Sequence, residues 1–510
     1  MTLESKQGRV FLVGAGPGDP ALVTLKAVEC LRHAEVIIYD YLANEELLEF
    51  APREAEQIYV GKKAGSHAMS QEQINELLVE KGRNAVVVRL KGGDPFIFGR
   101  GGEEALVLEE AGIEFQVVPG VTSAIAVPAY AGIPLTHRGL SSSVAFVTGH
   151  EMEGKDSSAI HWDRLATGVG TLVFLMGVKN LEYIASQLVA FGRAAETPTA
   201  VIRWGTAAAQ TTVTGTLGNI ARVAKAAGIK PPAIIVVGEV VGLRRQLNWF
   251  EERPLFGKTI VVTRAREQAS DFRTLLEESG ARCLEFPTIE VGSPASWEPL
   301  DKAIGQLEDY DWMIFTSVNG VRFFFKRVEE LGEDVRLLRG IRLGAIGPKT
   351  AAGLRERGLR IDLVPSEYRA EAVIEALAES EVRGKRFLLP RAAKAREILP
   401  EKLVEMGGLV DVVPAYETVR PPGRAGEVRS LLQGGDIACV TFTSSSTVEN
   451  FGAMFPGDDL PTLVANAAIA CIGPITAETA SRHGLKVDIM PAEYTIDALA
   501  AEIVEYFGRE

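Results

Sequence analysis

The chain has 510 residues, 46% hydrophobic and 24% charged, with a net charge of −13. This length implies about three or four domains, and the composition is that of a globular chain, which excludes collagen-like, disordered and disulfide-scaffold classes. The acidic total excludes a bulk basic nucleic-acid binder, but charges are screened over about 8 Å, so local cations can still receive an acidic small molecule.

The opening stretch, MTLESKQGRV, carries no apolar core of a signal peptide, and a cytoplasmic protein is expected. Short apolar runs then alternate with amphipathic stretches. RVFLVGAG, LVTLKAVECLRHA and EVIIYD are followed by NAVVVRLKG, SSVAFVTGH, TLVFLMGV, TAVIRWG and PAIIVVGE. Such alternation predicts an α/β fold with largely parallel sheets, whose ligands gather at loops beyond the strand C-termini. The first of these loops, VGAGPGDP at Val13–Pro20, is not a dinucleotide fingerprint. Asp19 stands where a third glycine is required, and Pro17 withdraws an N–H from the turn.

The segment from Gln116 to Thr136 is uncharged and long enough for a membrane span, but Pro119, Gly120, Pro128, Gly132 and Pro134 interrupt it. It reads as buried interior near a ligand, and no membrane partner is expected. Cys30, Cys283, Cys439 and Cys471 lie far apart without CxxC spacing, and the 6 histidines are scattered, so neither a disulfide framework nor a metal site is expected.

A charged stretch, RRQLNWFEERPLFGK, precedes a new strand, KTIVVTR. The expected organisation is a first domain at 1–247, a linker at 248–256 and a second domain at 257–510. The second domain is an internal duplication. GKTIVVTRA at Gly257 matches GKRFLLPRA at Gly384, and IFTSVNGV at Ile314 matches TFTSSSTV at Thr441, both shifted by 127. LGAIGPKTA and IACIGPITA match at a shift of 126. Two similar lobes with a cleft between them are expected.

The first domain is further marked by VIIYDYL at Val36, VGKKAG at Val60, RLKGGDPFIFGRGGEE at Arg89, VVPGVTSA at Val117 and GIPLTHRG at Gly132. Together these resemble the uroporphyrinogen-III C-methyltransferases of the tetrapyrrole methylase family. The resemblance implies a two-subdomain fold with S-adenosylmethionine as methyl donor. Its donor contacts fall on Pro17, Gly92, Gly93, Asp94, Ile97, Thr122, Ser123, Met176 and Gly205. It implies Asp40 as proton acceptor and Lys62 as proton donor. Read alone, Asp40 fits a helix N-cap, Lys62 a surface lysine and Met176 a core filler. Arg89, Lys91 and Arg100 are candidates for meeting substrate carboxylates, or else for solvation in loops.

VVTRA, FTSVNGV, IGPKTA, VVPAYETV, FTSSSTV and IGPITA resemble the uroporphyrinogen-III synthases. That family implies two flavodoxin-like lobes, one from about 257–288 plus 418–510 and the other from about 290–415. It closes linear hydroxymethylbilane with inversion of the last ring and loss of water. Tyr416 matches the tyrosine that helps the hydroxyl depart, and is otherwise a half-buried strand tyrosine. Arg264, Ser317, Asn319, Ser444, Ser445 and Thr476 are the candidate carboxylate contacts. The combined expectation is a bifunctional enzyme with tetrapyrrole substrates and no nucleic acid, ending at precorrin-2, with room for a homodimer through the methyltransferase half. The alternative is a methylase joined to a non-catalytic bilobed binding module.

Overall fold

The fold is that of a computed structural model describing residues 8–61, 69–150, 160–264, 266–288, 290–365, 370–377, 382–393, 398–419 and 424–508. Two compact units divide the chain. One comprises Met1–Thr259, Leu276–Arg282 and Val504–Glu510, and the other Ile260–Leu275 and Cys283–Ile503.

The first unit holds two five-stranded sheets. In one, β1 (Arg9–Gly14), β2 (Val36–Tyr39), β3 (Glu56–Tyr59), β4 (Val86–Lys91) and β5 (Phe115–Val118) lie in the order β3-β2-β4-β1-β5, all pairs parallel. Their continuous apolar runs serve two cores at once: Val13, Ile37 and Val88 pack in one cluster, Val10, Leu12, Ile38 and Val87 in another. Burial on both faces is why these strands lack polar alternation.

The other sheet comprises β6 (Val144–Thr148), β7 (Thr171–Leu175), β8 (Pro198–Arg203), β9 (Thr211–Thr216) and β10 (Ala233–Val237), ordered β6-β7-β10-β8-β9. Here only β6 and β7 pair in parallel; β7–β10, β10–β8 and β8–β9 are antiparallel. The sheets are largely parallel as expected, and this one is the local exception. The loop 204–210 between β8 and β9 holds no crossover helix, so the chain turns straight back. The apolar segment near Gln116 supplies β5 and the helix Ser123–Tyr130, whose Ala124 and Val127 pack against Val173, Ile202 and Val236. Among the described residues no helix is long and apolar enough to cross a membrane.

Residues 248–256, expected as a linker, are held against the first unit. Phe250 and Leu255 are buried, Trp249 Nε1 donates to the Ala129 carbonyl at 3.0 Å, and the Tyr130 and Phe250 rings lie 4.7 Å apart. The apolar and aromatic residues of this charged stretch explain the docking. A first-half fragment ending at 250 should therefore melt about 5–10 °C below one ending at 257, because it loses Glu251, the shared partner of Gln210, Thr212 and Arg244. Differential scanning calorimetry of the two fragments checks this, and equal midpoints would return the segment to a passive tether.

The second unit also holds two sheets. β11 (Thr259–Val262), β12 (Arg282–Glu285), β18 (Cys439–Phe442) and β19 (Ala468–Cys471) lie in the order β12-β11-β18-β19. β13 (Glu290–Gly292), β14 (Trp312–Phe315), β15 (Arg342–Ala345), β16 (Arg386–Ala392) and β17 (Leu409–Val419) lie in the order β13-β17-β16-β14-β15. Each sheet draws on both copies of the duplication. Under the repeat shift β11 corresponds to β16, β12 to β17, β14 to β18 and β15 to β19, so both sheets carry one doubly wound order. The copies meet where β13 pairs antiparallel with the end of β17, through Glu290↔Val419, Val291↔Thr418 and Gly292↔Glu417. Val291 and Thr418 are themselves repeat equivalents at a shift of 127, so this ladder is a two-fold-like exchange between the copies.

Candidate functional site

Loops at the C-terminal ends of the first sheet close on one another. The Gly16 and Gly93 backbones exchange hydrogen bonds, with Gly93 N–H to the Gly16 carbonyl at 2.7 Å. Gly93 has φ +70°, and a Cβ on Gly120 would come 2.2 Å from the Gly93 carbonyl oxygen, so the chemistry of glycine sets this approach. Asp94 ties the loops together: its Oδ1 accepts from Phe96 N–H at 2.8 Å and its Oδ2 from Gly120 N–H at 3.0 Å.

These loops form one wall of a cavity of about 800 Å³. The opposite wall comes from the second sheet, through Leu175, Met176, Ile202, Gly205 and Ile234. Pro17, Gly92, Gly93, Asp94, Ile97, Thr122, Ser123, Met176 and Gly205 all line it, as does Asp40. Met176 is half exposed there instead of filling the core. Phe98, Arg100, Met176, Trp204 and Thr206 have φ between +49° and +71°, and the first four line the cavity. Left-handed backbone at non-glycine residues costs about 1–3 kcal/mol each and gathers where a site demands it.

The floor of the cavity is ionic. Asp40 follows β2, and no helix begins there; its Oδ1 accepts from Leu42 N–H at 3.1 Å and its Oδ2 from Arg89 Nη2 at 3.2 Å. Arg89 and Lys91 stand two apart on β4 and so share a face. They are buried in a strand and not solvated in a loop, with exposures of 3% and 4%. Glu104, fully buried, receives Lys91 Nζ at 2.7 Å, Arg89 Nε at 3.2 Å and Gln71 Nε2 at 3.2 Å on one oxygen. Its second oxygen has no hydrogen-bond partner among the described residues. Burial, and then the Arg89 charge, hold the Lys91 ammonium below its ordinary value. Arg100 is an exposed partner of Glu103. Lys62 lies outside the described residues.

Sequence reasoning overlooked Glu104, Trp204 and Tyr41, whose rings form an edge contact at 5.9 Å beside the cavity. An acidic residue in a helical GGEE run looks like a solvated first-turn carboxylate, and nothing in its neighbours marks it as buried.

In the second unit the candidates fall at strand C-termini in two groups. In the first group, Ser317 caps the helix Val318–Glu330, accepting from Gly320 N–H at 3.0 Å, and its hydroxyl lies 3.0 Å from the Tyr416 hydroxyl. Asn319 is half-buried in the first turn of that helix, and Tyr416 is buried, stacked on Phe323. In the second group, Ser444 caps the helix Ser445–Ala453, Ser445 Oγ receives Thr479 Oγ1 at 2.9 Å, and Thr476 is buried. Arg264 follows β11, where burial holds its guanidinium below the ordinary value. Among the described residues no group of three or more His, Cys, Asp or Glu could hold a metal ion.

A glycine-lined cavity between two sheets, followed by a duplicated pair of doubly wound lobes, defines a two-part α/β protein with a ligand cavity in its first half. Residues 9–221 match the tetrapyrrole (corrin/porphyrin) methylases, and residues 270–501 match uroporphyrinogen-III synthase HemD. Over 504 residues the chain is 38% identical to the porphyrin biosynthesis protein HemD of Ruminiclostridium josui, covering 99% of each. A uroporphyrinogen-III C-methyltransferase of Bacillus subtilis (strain 168) is 37% identical over 477 residues, 90% of this chain and 97% of that one. A solved structure, uroporphyrin-III C-methyl transferase from Thermus thermophilus complexed with S-adenyl homocysteine, is 42% identical with a TM-score of 0.40, covering 46% of this chain and 93% of that one. The chain belongs to the porphyrin-biosynthesis family in which an S-adenosylmethionine-dependent tetrapyrrole methylase is fused to a uroporphyrinogen-III synthase.

Proposed function

We propose that the first unit methylates uroporphyrinogen III twice to give precorrin-2, and that the second makes uroporphyrinogen III from hydroxymethylbilane. One observation supports the methylase reading above others: every residue expected to meet the donor lines the same cavity as Asp40. The cavity suits a nucleoside sulfonium, offering backbone groups at Gly92–Gly93, a hydroxyl at Thr122 and apolar wall at Ile97, Val127 and Met176.

S-adenosylmethionine supplies an already activated methyl group when bound. The residues of the chain then serve proximity and proton removal. Asp40, aimed by Arg89, accepts the proton that leaves the methylated macrocycle. Lys62 is the proton donor of this reading.

For ring closure, the Tyr416 hydroxyl, paired with Ser317, protonates the departing hydroxyl so that it leaves as water, and the proton lost from the attacked ring carbon on closure restores the balance. Arg264, Asn319, Ser444, Ser445 and Thr476 hold the carboxylates of the folded bilane. The reading needs no metal, places the enzyme in the cytoplasm and allows pairing of two copies through the methylase half.

Pure protein given hydroxymethylbilane should yield the III isomer without any cofactor, and precorrin-2 once S-adenosylmethionine is added. Isomer I alone would mean that the bilobed half binds without catalysing. Isomer III that stays unmethylated would remove the methylase reading.

A further inference from the structure

Gly205 lines the cavity between two strained neighbours, Trp204 at φ +49° and Thr206 at φ +71°. Such a pair persists only where surrounding groups hold it. Thr206 is 4% exposed and is held twice: its N–H donates to Gln210 Oε1 at 2.9 Å, and its hydroxyl accepts from Asp19 N–H at 3.0 Å. The first of these bonds requires the Gln210 amide to face one way. Gln210, also 4% exposed, is set that way by two acceptors for its Nε2: the Tyr130 carbonyl at 3.2 Å and Glu251 Oε1 at 2.7 Å. A carboxylate only accepts, so Glu251 forbids the flipped amide. Glu251 is itself fixed, by Thr212 Oγ1 at 2.6 Å and by pairing with Arg244.

We propose that the segment joining the two halves is part of the methyl-donor site, with Glu251 a positioning residue that holds the Gly205 loop through Gln210 and Thr206. The inference rests on the donor-site reading above. A second strand of contacts runs the same way. Tyr130 donates to Asp19 Oδ2 at 2.8 Å in the opening glycine turn, and its ring meets Trp249 at 5.0 Å and Phe250 at 4.7 Å. Both loops that flank the cavity are thus tied to residues 244–256.

The test is calorimetric titration of the full-length protein with S-adenosylhomocysteine. Glu251→Ala and Gln210→Ala should each weaken binding about tenfold, the scale of one buried hydrogen bond left unmade. The double variant should be no weaker than either single one, because both act along one path. The KM for the donor should rise with kcat at saturation unchanged, and ring closure should keep its rate. If Glu251→Ala does not fold, Glu251→Leu fills the space without offering Gln210 an acceptor and carries the same test. Unchanged affinity in the single variants, or additive losses in the double one, overturns the inference while leaving the donor site standing. Failure of the unaltered protein to bind S-adenosylhomocysteine overturns the donor-site reading and this inference with it.

Discussion

Methyl transfer should fall by roughly 10²- to 10⁴-fold when Asp40 is replaced by asparagine, while S-adenosylhomocysteine should still bind. Asparagine keeps the shape and the acceptor for Leu42 N–H, so the turn after β2 survives. What is lost is the carboxylate proposed to take the proton, together with its charge-assisted bond from Arg89. Asp94→Ala provides the contrast. Both Asp94 oxygens hold backbone N–H groups of the cavity loops, so its removal should loosen the glycine wall and weaken donor binding. Titration of the two variants with S-adenosylhomocysteine separates the roles. If Asp40→Asn loses donor affinity as badly as Asp94→Ala, Asp40 is a binding residue and not the base.

The largest stability effect is expected at Glu104. Its carboxylate is the shared partner of two buried cations, Arg89 and Lys91. Removing one partner of a buried ionic group leaves uncompensated charge and typically costs about 3–5 kcal/mol. Glu104→Gln should lower the melting midpoint of the first unit by about 5–15 °C. The loss should also depend on pH. Burial already holds the Lys91 ammonium low, and Glu104 is one of the groups that opposes this. Without Glu104 the folded protein sheds that proton at a lower pH than the unfolded chain does. The unfolded state then binds more protons, so stability rises with pH, and the deficit should shrink as the pH climbs toward the ordinary lysine range. Thermal melts of both proteins across that range check the sign. A deficit that grows with pH would show that Lys91 is not the stranded charge.

The lobes of the second unit show how far pattern alone reaches. The duplication is visible because strand ends and the turns after them repeat residue by residue, and strands separated by one repeat occupy equivalent places in the two sheets. The pairing of Val291 with Thr418 is not visible in that way. It depends on which copy each connecting strand joins, and short strands of either register look alike in sequence.

The loops of the first cavity were legible for a related reason. Glycine and proline act on the backbone at their own positions, so VGAGPGDP and KGGDPFIFGRG declare their turns locally. The α/β alternation and the duplication are of this kind, whereas the residues lining the first cavity were expected from the family resemblance. The ionic floor is different. Arg89 looks the same in sequence whether solvated or buried, and its state depends on Asp40 and Glu104, which lie 49 and 15 residues away. Ser317 and Tyr416 meet across 99 residues, and Gln210 and Glu251 across 41. The antiparallel second sheet and the docking of Trp249 and Phe250 follow from packing as well. Sequence by itself determined where the backbone must turn and which faces are apolar, because those properties belong to single residues and short periods. Only the tertiary structure decided which charges are desolvated, which hydroxyls pair and what the joining segment touches, because burial and distance arise only after distant segments pack together.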